Sequence, residues 1–415
     1  MLGARVPAGT FKRTAAEALD NGVRHRDGGV RGVRQRELLE EAKNMESAPG
    51  DGLRERAERV NAALHEEHGE HIGENVLLHW LRHPMDCILV LNLAVHEIIA
   101  LAELVRGVLL EHRDSRRAEG YSTAARVCIW VYRLASAGTY ANTLMWHRGF
   151  FLEGQISHGW IEEDTDIISR AVFLALSEYV KFPEGPDLEA LRGIFGEEHP
   201  VQDVGWCVDC SHLSVCIPGD SVSQKAYYAP HKQLHSVKVL VVTDWRGCPL
   251  HVDCHGMMTR EGLLALKNPL RDEIERLESR PGSMPDATHF DVSELAYLVR
   301  RNKATGVRGL GGRSFAQRQC VRPTNRREDK KLRAGGLDMD IVAKANSRIA
   351  QGRAVVEGYF AAHEECFPAF WVRRLEARGE KDVHGRQFQA SAHVLSWRMH
   401  ERRMFLREAP EASPQ

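Results

Sequence analysis

At 415 residues the chain has room for two to three domains at about 150 residues each. Hydrophobic residues make up 43% and charged residues 27%, which excludes a wholly disordered, collagenous or disulfide-scaffold protein. Lysine and arginine number 56 against 57 acids, so this is not a polybasic protein, and any nucleic-acid surface must come from local segregation of charge.

Residues 1–75 contain a single aromatic, Phe11, among many Gly, Arg and Glu residues. Such a segment buries too little apolar surface to offset its ordering entropy, so a largely disordered tail is expected, with at most a solvated helix over 35–44. Its first residues, MLGARVPAGTFKR, lack the apolar core of a secretory signal. Their arginines are compatible with an organelle transit peptide, although Glu17, Asp20 and Asp27 follow soon. The most apolar window, 87–105, holds Asn92, His96, Glu97 and Glu103, too many polar groups for hydrocarbon, so no membrane partner is expected. Nine cysteines, an odd count, point to reduced thiols in the cytosol or nucleus.

From 76 to 112 apolar residues recur at steps of three and four, a helical period interrupted by Pro84. Ser122 is placed to cap a helix over TAARVCIWVYRLAS that Gly138 would end, and two further helices are expected over 140–150 and 164–179. Three short helices with tight connections suit a helix-turn-helix module and any small helical bundle equally. A helical region is therefore expected over 76–180.

The pattern changes at Phe182-Pro183. The runs GWCVDCSHLSVCI, HSVKVLVVTDW and CPLHVDCHG read as strands, the last two joined by a hairpin turn at Arg246-Gly247. A charged helix is expected over 260–279, a short strand around 287–290, and a long helix over 339–363. Strands alternating with helices predict a mixed α/β domain over 181–407, followed by a disordered tail over 408–415.

Asp209 lies in the first of these strands between Val208 and Cys210, where an acid costs free energy unless it is exposed, paired or bound to a cation. Glu357 lies on the long helix beside Val355, Val356, Tyr359 and Phe360, with Arg353 four residues earlier on the same face. Asp286 and Asp291 fall between the two. Acids delivered from strands and a helix to one point would be hard oxygen ligands for Mg²⁺ or Mn²⁺. A pair of such ions activates an attacking water and stabilises a leaving phosphodiester oxygen.

The stretch 300–333 holds twelve bases against Glu328 and Asp329 alone, a local excess of ten positive charges. With four glycines, it reads as a mobile loop whose Arg322, Arg326, Arg327, Lys330 and Lys331 would track the phosphates of DNA, joined by Arg353. The solvated-loop and nuclear-import readings stay open. Cys207 and Cys210 form a CxxC, with Cys216, Cys248, Cys254 and His255 downstream, so zinc is a competing expectation by ligand type. A strand would, however, turn Cys207 and Cys210 to opposite faces.

The order of these pieces resembles the PIF/Harbinger-type transposases and their domesticated descendants. VKFPEGPDLEALRGIFGEEHPVQDVGWCVDCSHLSV resembles the start of their nuclease domain, with Val208-Asp209-Cys210-Ser211-His212 in place of the family's Ile-Asp-Gly-Thr-His. Similar counterparts follow at Ala226-Tyr227-Tyr228 through Asp244, at 256–270, at Asn346-Ser347-Arg348 with Arg353 to Glu357, and at Ser391-Ala392-His393-Val394-Leu395. The resemblance spans about residues 122–405 and places the helical block where the family has its helix-turn-helix-like region.

This resemblance implies an RNase H-like DDE nuclease domain, a mixed sheet flanked by helices, preceded by the helical region. It implies Mg²⁺- or Mn²⁺-dependent DNA cleavage or strand transfer, with Asp209, Asp291 and Glu357 as the catalytic acids. Asp286 is an alternative metal ligand at the second position. With the basic runs it further implies a nuclear protein, and it implies a separate DNA-binding protein as partner; a cytoplasmic share and a homo-oligomer stay open. The alternative is a catalytically inactive, domesticated DNA-binding or scaffold protein on the same fold.

Overall fold

The computed structural model describes residue 55 and residues 76–112, 121–136, 140–151, 156–198, 201, 204–215, 217, 221–254, 284–305, 307–315, 320–371 and 381–408. Pro84 has no N–H to give a helix interior, so it begins a helix. Helix α1 (Val76–Arg82) stops before it, and α2 (Pro84–Leu91) takes it into its first turn. Asn92, left-handed at φ 55°, then turns the chain toward α3 (Val95–His112). Ser122 caps α4 (Thr123–Ala135) by accepting from the Ala125 amide, as its position predicts, but the helix ends ahead of Gly138. The next two helices are α5 (Tyr140–Phe151) and α6 (His158–Ala175), the latter capped by Ser157.

Only Thr123 and Tyr132 of α4 escape burial, so this helix is the interior of the helical layer. Its polar groups are accordingly paired. The Arg126 guanidinium reaches Asp164 Oδ1 at 2.5 Å, and the Trp130 indole donates to Ser169 Oγ at 2.8 Å. Burial still outweighs the arginine at Asp164, whose carboxyl is held above its ordinary range. No single described helix is long and apolar enough to cross a membrane.

Helix α7 (Pro186–Glu198) leads to the sheet, whose axis is β1 (Val204–Ser214). After α8 (Ser221–Tyr227) and the short β2 (Tyr228–Ala229), β3 (Leu234–Thr243) runs antiparallel to β1, and β4 (Pro249–Cys254) antiparallel to β3. The predicted hairpin turn forms where expected. Asp244 Oδ1 accepts from the Arg246 and Cys248 amides at 2.9 and 2.8 Å, and Gly247 takes a φ of 81° open to glycine.

The expected strand around 287–290 is instead a helix, α9 (Asp286–Val292), running into α10 (Glu294–Arg301). The β-prone Thr288-His289-Phe290 run misleads there. Pro285, extended at φ −61°, starts the helix, and Asp286 in its first turn suits the positive end of the helix dipole. The basic stretch is likewise not one loop. It forms β5 (Arg308–Leu310), β6 (Cys320–Val321) and α11 (Arg326–Ala334), since both strands extend the sheet in parallel beyond β1 and the helix carries its own cap. The long helix forms as predicted, as α12 (Met339–Cys366), and α13 (Lys381–Glu408) closes the described chain. The helix expected over 260–279 and nearly all of the expected tails lie outside the described residues.

Side chains alternate across β1 and β3 with period two. One face carries Leu213, Val239 and Val241 into an apolar cluster that runs on through α1, α4, α6, α12 and α13. The helical layer and this face of the sheet thus share one core. The other face packs Trp206, Val208, Leu240 and Val242 against Phe290, Leu295 and Val299.

Candidate functional site

The alternation along β1 sorts its chemistry by face. Cys207 packs with Leu310, Ile349 and Val356 beneath α12, whereas Cys210 packs beside Trp206 and Val208 on the opposite side. The two thiols of the CxxC therefore point apart, and among the described residues no group of three His, Cys, Asp or Glu side chains is arranged to hold a metal. The described cysteines are free thiols, Cys210 among them pushed well up by burial.

Asp209 follows Cys207 on the α12 face. Its Oδ2 meets Arg353 Nη2 at 2.8 Å, and its Oδ1 accepts from the Cys210 amide at 3.0 Å. The same Nη2 reaches Glu357 Oε1 at 3.8 Å, one helical turn along α12. Helix α12 comes this close because Gly352 is buried against β1, its carbonyl oxygen 3.4 Å from Cys207 Sγ. Burial raises the Asp209 carboxyl, Arg353 and the amide bond lower it, and the charges of Asp286 and Glu357 raise it again, leaving it above its ordinary range. Of the two candidates for the second acid, Asp286 is thus the one whose charge reaches Asp209.

Asp286 is nevertheless bound on the other side of the sheet. Lys238 lies on β3 opposite His212, on the face that carries Leu240 and Val242. The lysine is 1% exposed, and its Nζ donates to Asp286 Oδ1 at 2.7 Å and also to the Met284 carbonyl oxygen. Ser314 Oγ donates to Asp286 Oδ2 at 3.3 Å. Asp291 sits in the last turn of α9, half-buried. The sheet and α9 bring Asp209, Glu357 and Asp286 into one electrostatic neighbourhood, but each carboxylate faces a cation of the chain itself.

The β1–β5 ladder ends at Cys207 and Leu310, and two residues past the end of β5 comes Gly312. A Cβ on Gly312 would stand 3.6 Å from Arg353 Nη2, on the face of Asp209 and Glu357.

A pair of divalent ions needs carboxylates converging on one point with lone pairs to spare. Here Arg353 takes Asp209 and Glu357, Lys238 takes Asp286, and the place beside Arg353 at Gly312 has no side chain. The donor set does not fit a two-metal centre. Lys238 and Gly312 are the residues that sequence reasoning missed. A lysine within VKVLVV reads as the solvent-facing member of a strand, and a glycine in a Gly-rich run reads as a turn.

The basic residues fall into two groups. Arg322 is spent internally, with Nη1 2.9 Å from Glu328 Oε2 and Nη2 2.5 Å from Glu328 Oε1, and Arg353 is spent on Asp209. Glu328 also closes a capping box with Asn325, and Arg322 holds its carboxyl down at about 2. Asp329 Oδ1 accepts from Thr324 Oγ1 at 2.6 Å, while Asn346 of α12 bonds the Thr324 amide and hydroxyl at 3.0 and 2.9 Å. Both acids of the stretch are thereby bonded to the residues that lead into α11. Arg326, Arg327, Lys330, Lys331 and Arg333 remain exposed on α11. Comparison of the chain with protein-family models, curated proteins and solved structures gives no match.

Proposed function

We propose that the chain is a DNA-binding protein on an RNase H-like fold of transposase descent, engaging the phosphate backbone through α11 and working in the nucleus. The observation that carries this reading is the sorting of charge on α11, whose Glu328 is taken by the cap and by Arg322 and whose Asp329 accepts from Thr324, while five bases face solvent. The strand order supports the fold assignment, with β4, β3 and β1 antiparallel and then β5 and β6 parallel to β1. Helix α4 is spent as core and α5 carries only Arg148 as an arginine or lysine, so neither is cast as a recognition helix. Sequence selectivity would then come from a separate DNA-binding protein.

The test is fluorescence anisotropy of labelled duplex DNA against salt concentration. Replacing Arg326, Arg327, Lys330 and Lys331 together by alanine should weaken binding and flatten the salt slope by up to about 0.9 per lost phosphate contact. An unchanged affinity and slope would remove the reading.

A second reading, DNA cleavage or joining by Asp209, Glu357 and Asp286 or Asp291, is favoured by the mutual influence of the first three carboxylates. It requires Arg353 and Lys238 to release the acids they hold. Magnesium-dependent nicking of supercoiled DNA by the full chain, lost in Asp209→Asn, would select it.

A further inference from the structure

We infer that Arg353 and Lys238 stand where divalent ions would otherwise be needed, holding together an acid cluster that is one carboxylate short at Gly312. The inference rests on the RNase H-like reading of the sheet and does not depend on DNA binding by α11.

Three facts carry it. First, the two cations are built into the sheet and its covering helix rather than resting on the surface. Lys238 is 1% exposed and also bonded to the Met284 carbonyl, and Arg353 is held against β1 through the buried Gly352. Second, they approach the acids from opposite faces, Lys238 bonding Asp286 and Arg353 bonding Asp209 and Glu357. Three carboxylates with two fixed cations leave one net negative charge where a vacant acid triad would offer three to a metal.

Third, Gly312 is glycine without a steric reason. Its neighbours need to be glycine: a Cβ on Gly309 would run into the Trp206 ring at 2.2 Å, and one on Gly311 would meet Phe315 Cβ at 2.9 Å. At Gly312 the nearest atom would lie at an ordinary 3.6 Å, and the residue is not among those with positive φ. The side chain missing there is the one that the backbone would aim at Arg353, on the face of Asp209 and beside β1. A carboxylate at that position would be a third acid around Arg353, beside Asp209 and Glu357 on their side of the sheet.

Manganese titration of the EDTA-treated full chain, with free Mn²⁺ read by electron paramagnetic resonance, tests this. The wild type should show no saturable binding through the millimolar range. Gly312→Asp combined with Arg353→Met, its fold checked by circular dichroism and tryptophan fluorescence, should bind Mn²⁺ at least about tenfold more tightly. Stoichiometric Mn²⁺ binding by the wild type, lost in Asp209→Asn, would overturn the inference. So would a folded double variant that binds no better than wild type. Should the double variant not fold, Gly312→Asp combined with the milder Arg353→Gln takes its place, judged by the same criteria. DNA anisotropy in EDTA is recorded separately, so failure of the DNA-binding reading is distinguishable from failure here.

Discussion

Arg398 and Glu97 are separated by 301 positions in the chain and meet with Nε 2.5 Å from Oε1, both side chains almost wholly buried. The pair ties α13 to the start of α3, where Glu97 Oε2 also accepts from the Ala94 amide at 2.8 Å. Breaking a buried pair strands a charge in low dielectric, so Glu97→Ala should cost about 3–5 kcal/mol in urea denaturation. Replacing both partners with apolar residues, as Glu97→Leu with Arg398→Met, should recover most of that loss. Equal losses in the single and double variants would mean that packing volume, not charge, holds this junction.

Close approach of β5 to β1 makes a second contrast. The Trp206 ring fills the space over Gly309, so Gly309→Ala should destabilise by about 1–3 kcal/mol or more through overpacking. Gly312→Ala, whose new methyl would meet only ordinary contacts, should be nearly neutral. A difference below experimental error between the two melting temperatures would contradict the packing described here.

These contrasts also mark how far the sequence could be read. Strands β1, β3 and β4 and helix α12 are legible because their apolar residues repeat at two or at three to four positions, and Ser122 is legible as a cap because capping is local. Asn325-Arg326-Arg327-Glu328 carries a local capping signature as well, although the mass of charge around it suggests a loop. Helix α9 is misread because residues 288–290 favour strands while the contacts that decide for a helix, Lys238 with Asp286 and Phe290 against Phe315, come from distant parts of the chain. For the same reason Asp209 and Glu357 are legible as acids in apolar company, and Arg353 as a helical neighbour of Glu357, whereas the reach of Arg353 to Asp209, the part of Lys238 and the gap at Gly312 are not. Pairing across 144 residues leaves no local trace.

His363 supplies a pH test of the shared core. It sits among Phe367, Phe370, Phe388, Trp371 and Tyr359, and Trp371 Nε1 donates to its Nδ1 at 3.1 Å. Its hydrogen is therefore on Nε2, directed at Ser391 Oγ 2.9 Å away. Burial lowers this imidazole to about 3, below the 6.5 of the free side chain. The unfolded chain takes up the proton first on acidification, so the stability due to neutral His363 is complete above pH 6.5 and drains away as pH falls toward 3. Compared with His363→Phe, the wild type should lose about 1.4 kcal/mol more per pH unit across that window. Parallel stability curves for the two proteins would contradict the assignment.

Asp253 works in the opposite sense. It lies on β4 opposite Leu240, and burial, reinforced by the charge of Glu294, raises its carboxyl to about 7 despite a hydrogen bond from the Cys254 amide. His289 faces it, Nε2 3.8 Å from Oδ2. Here the folded protein holds the proton longer than the unfolded chain, whose aspartates release it near about pH 4. The stabilisation from protonated Asp253 is thus present in acid and lost as pH rises to about 7. Asp253→Asn mimics the protonated state at every pH. Its stability relative to wild type should rise by about 1.4 kcal/mol per pH unit between those limits and level off above them. Urea denaturation across that range reads the difference directly, and because His363 and the other buried histidines away from Asp253 are common to both proteins, their own acid sensitivity cancels. A constant difference would mean that His289, charged and close, keeps Asp253 ionised in the native state, and that β4 carries an ion pair rather than a buried acid.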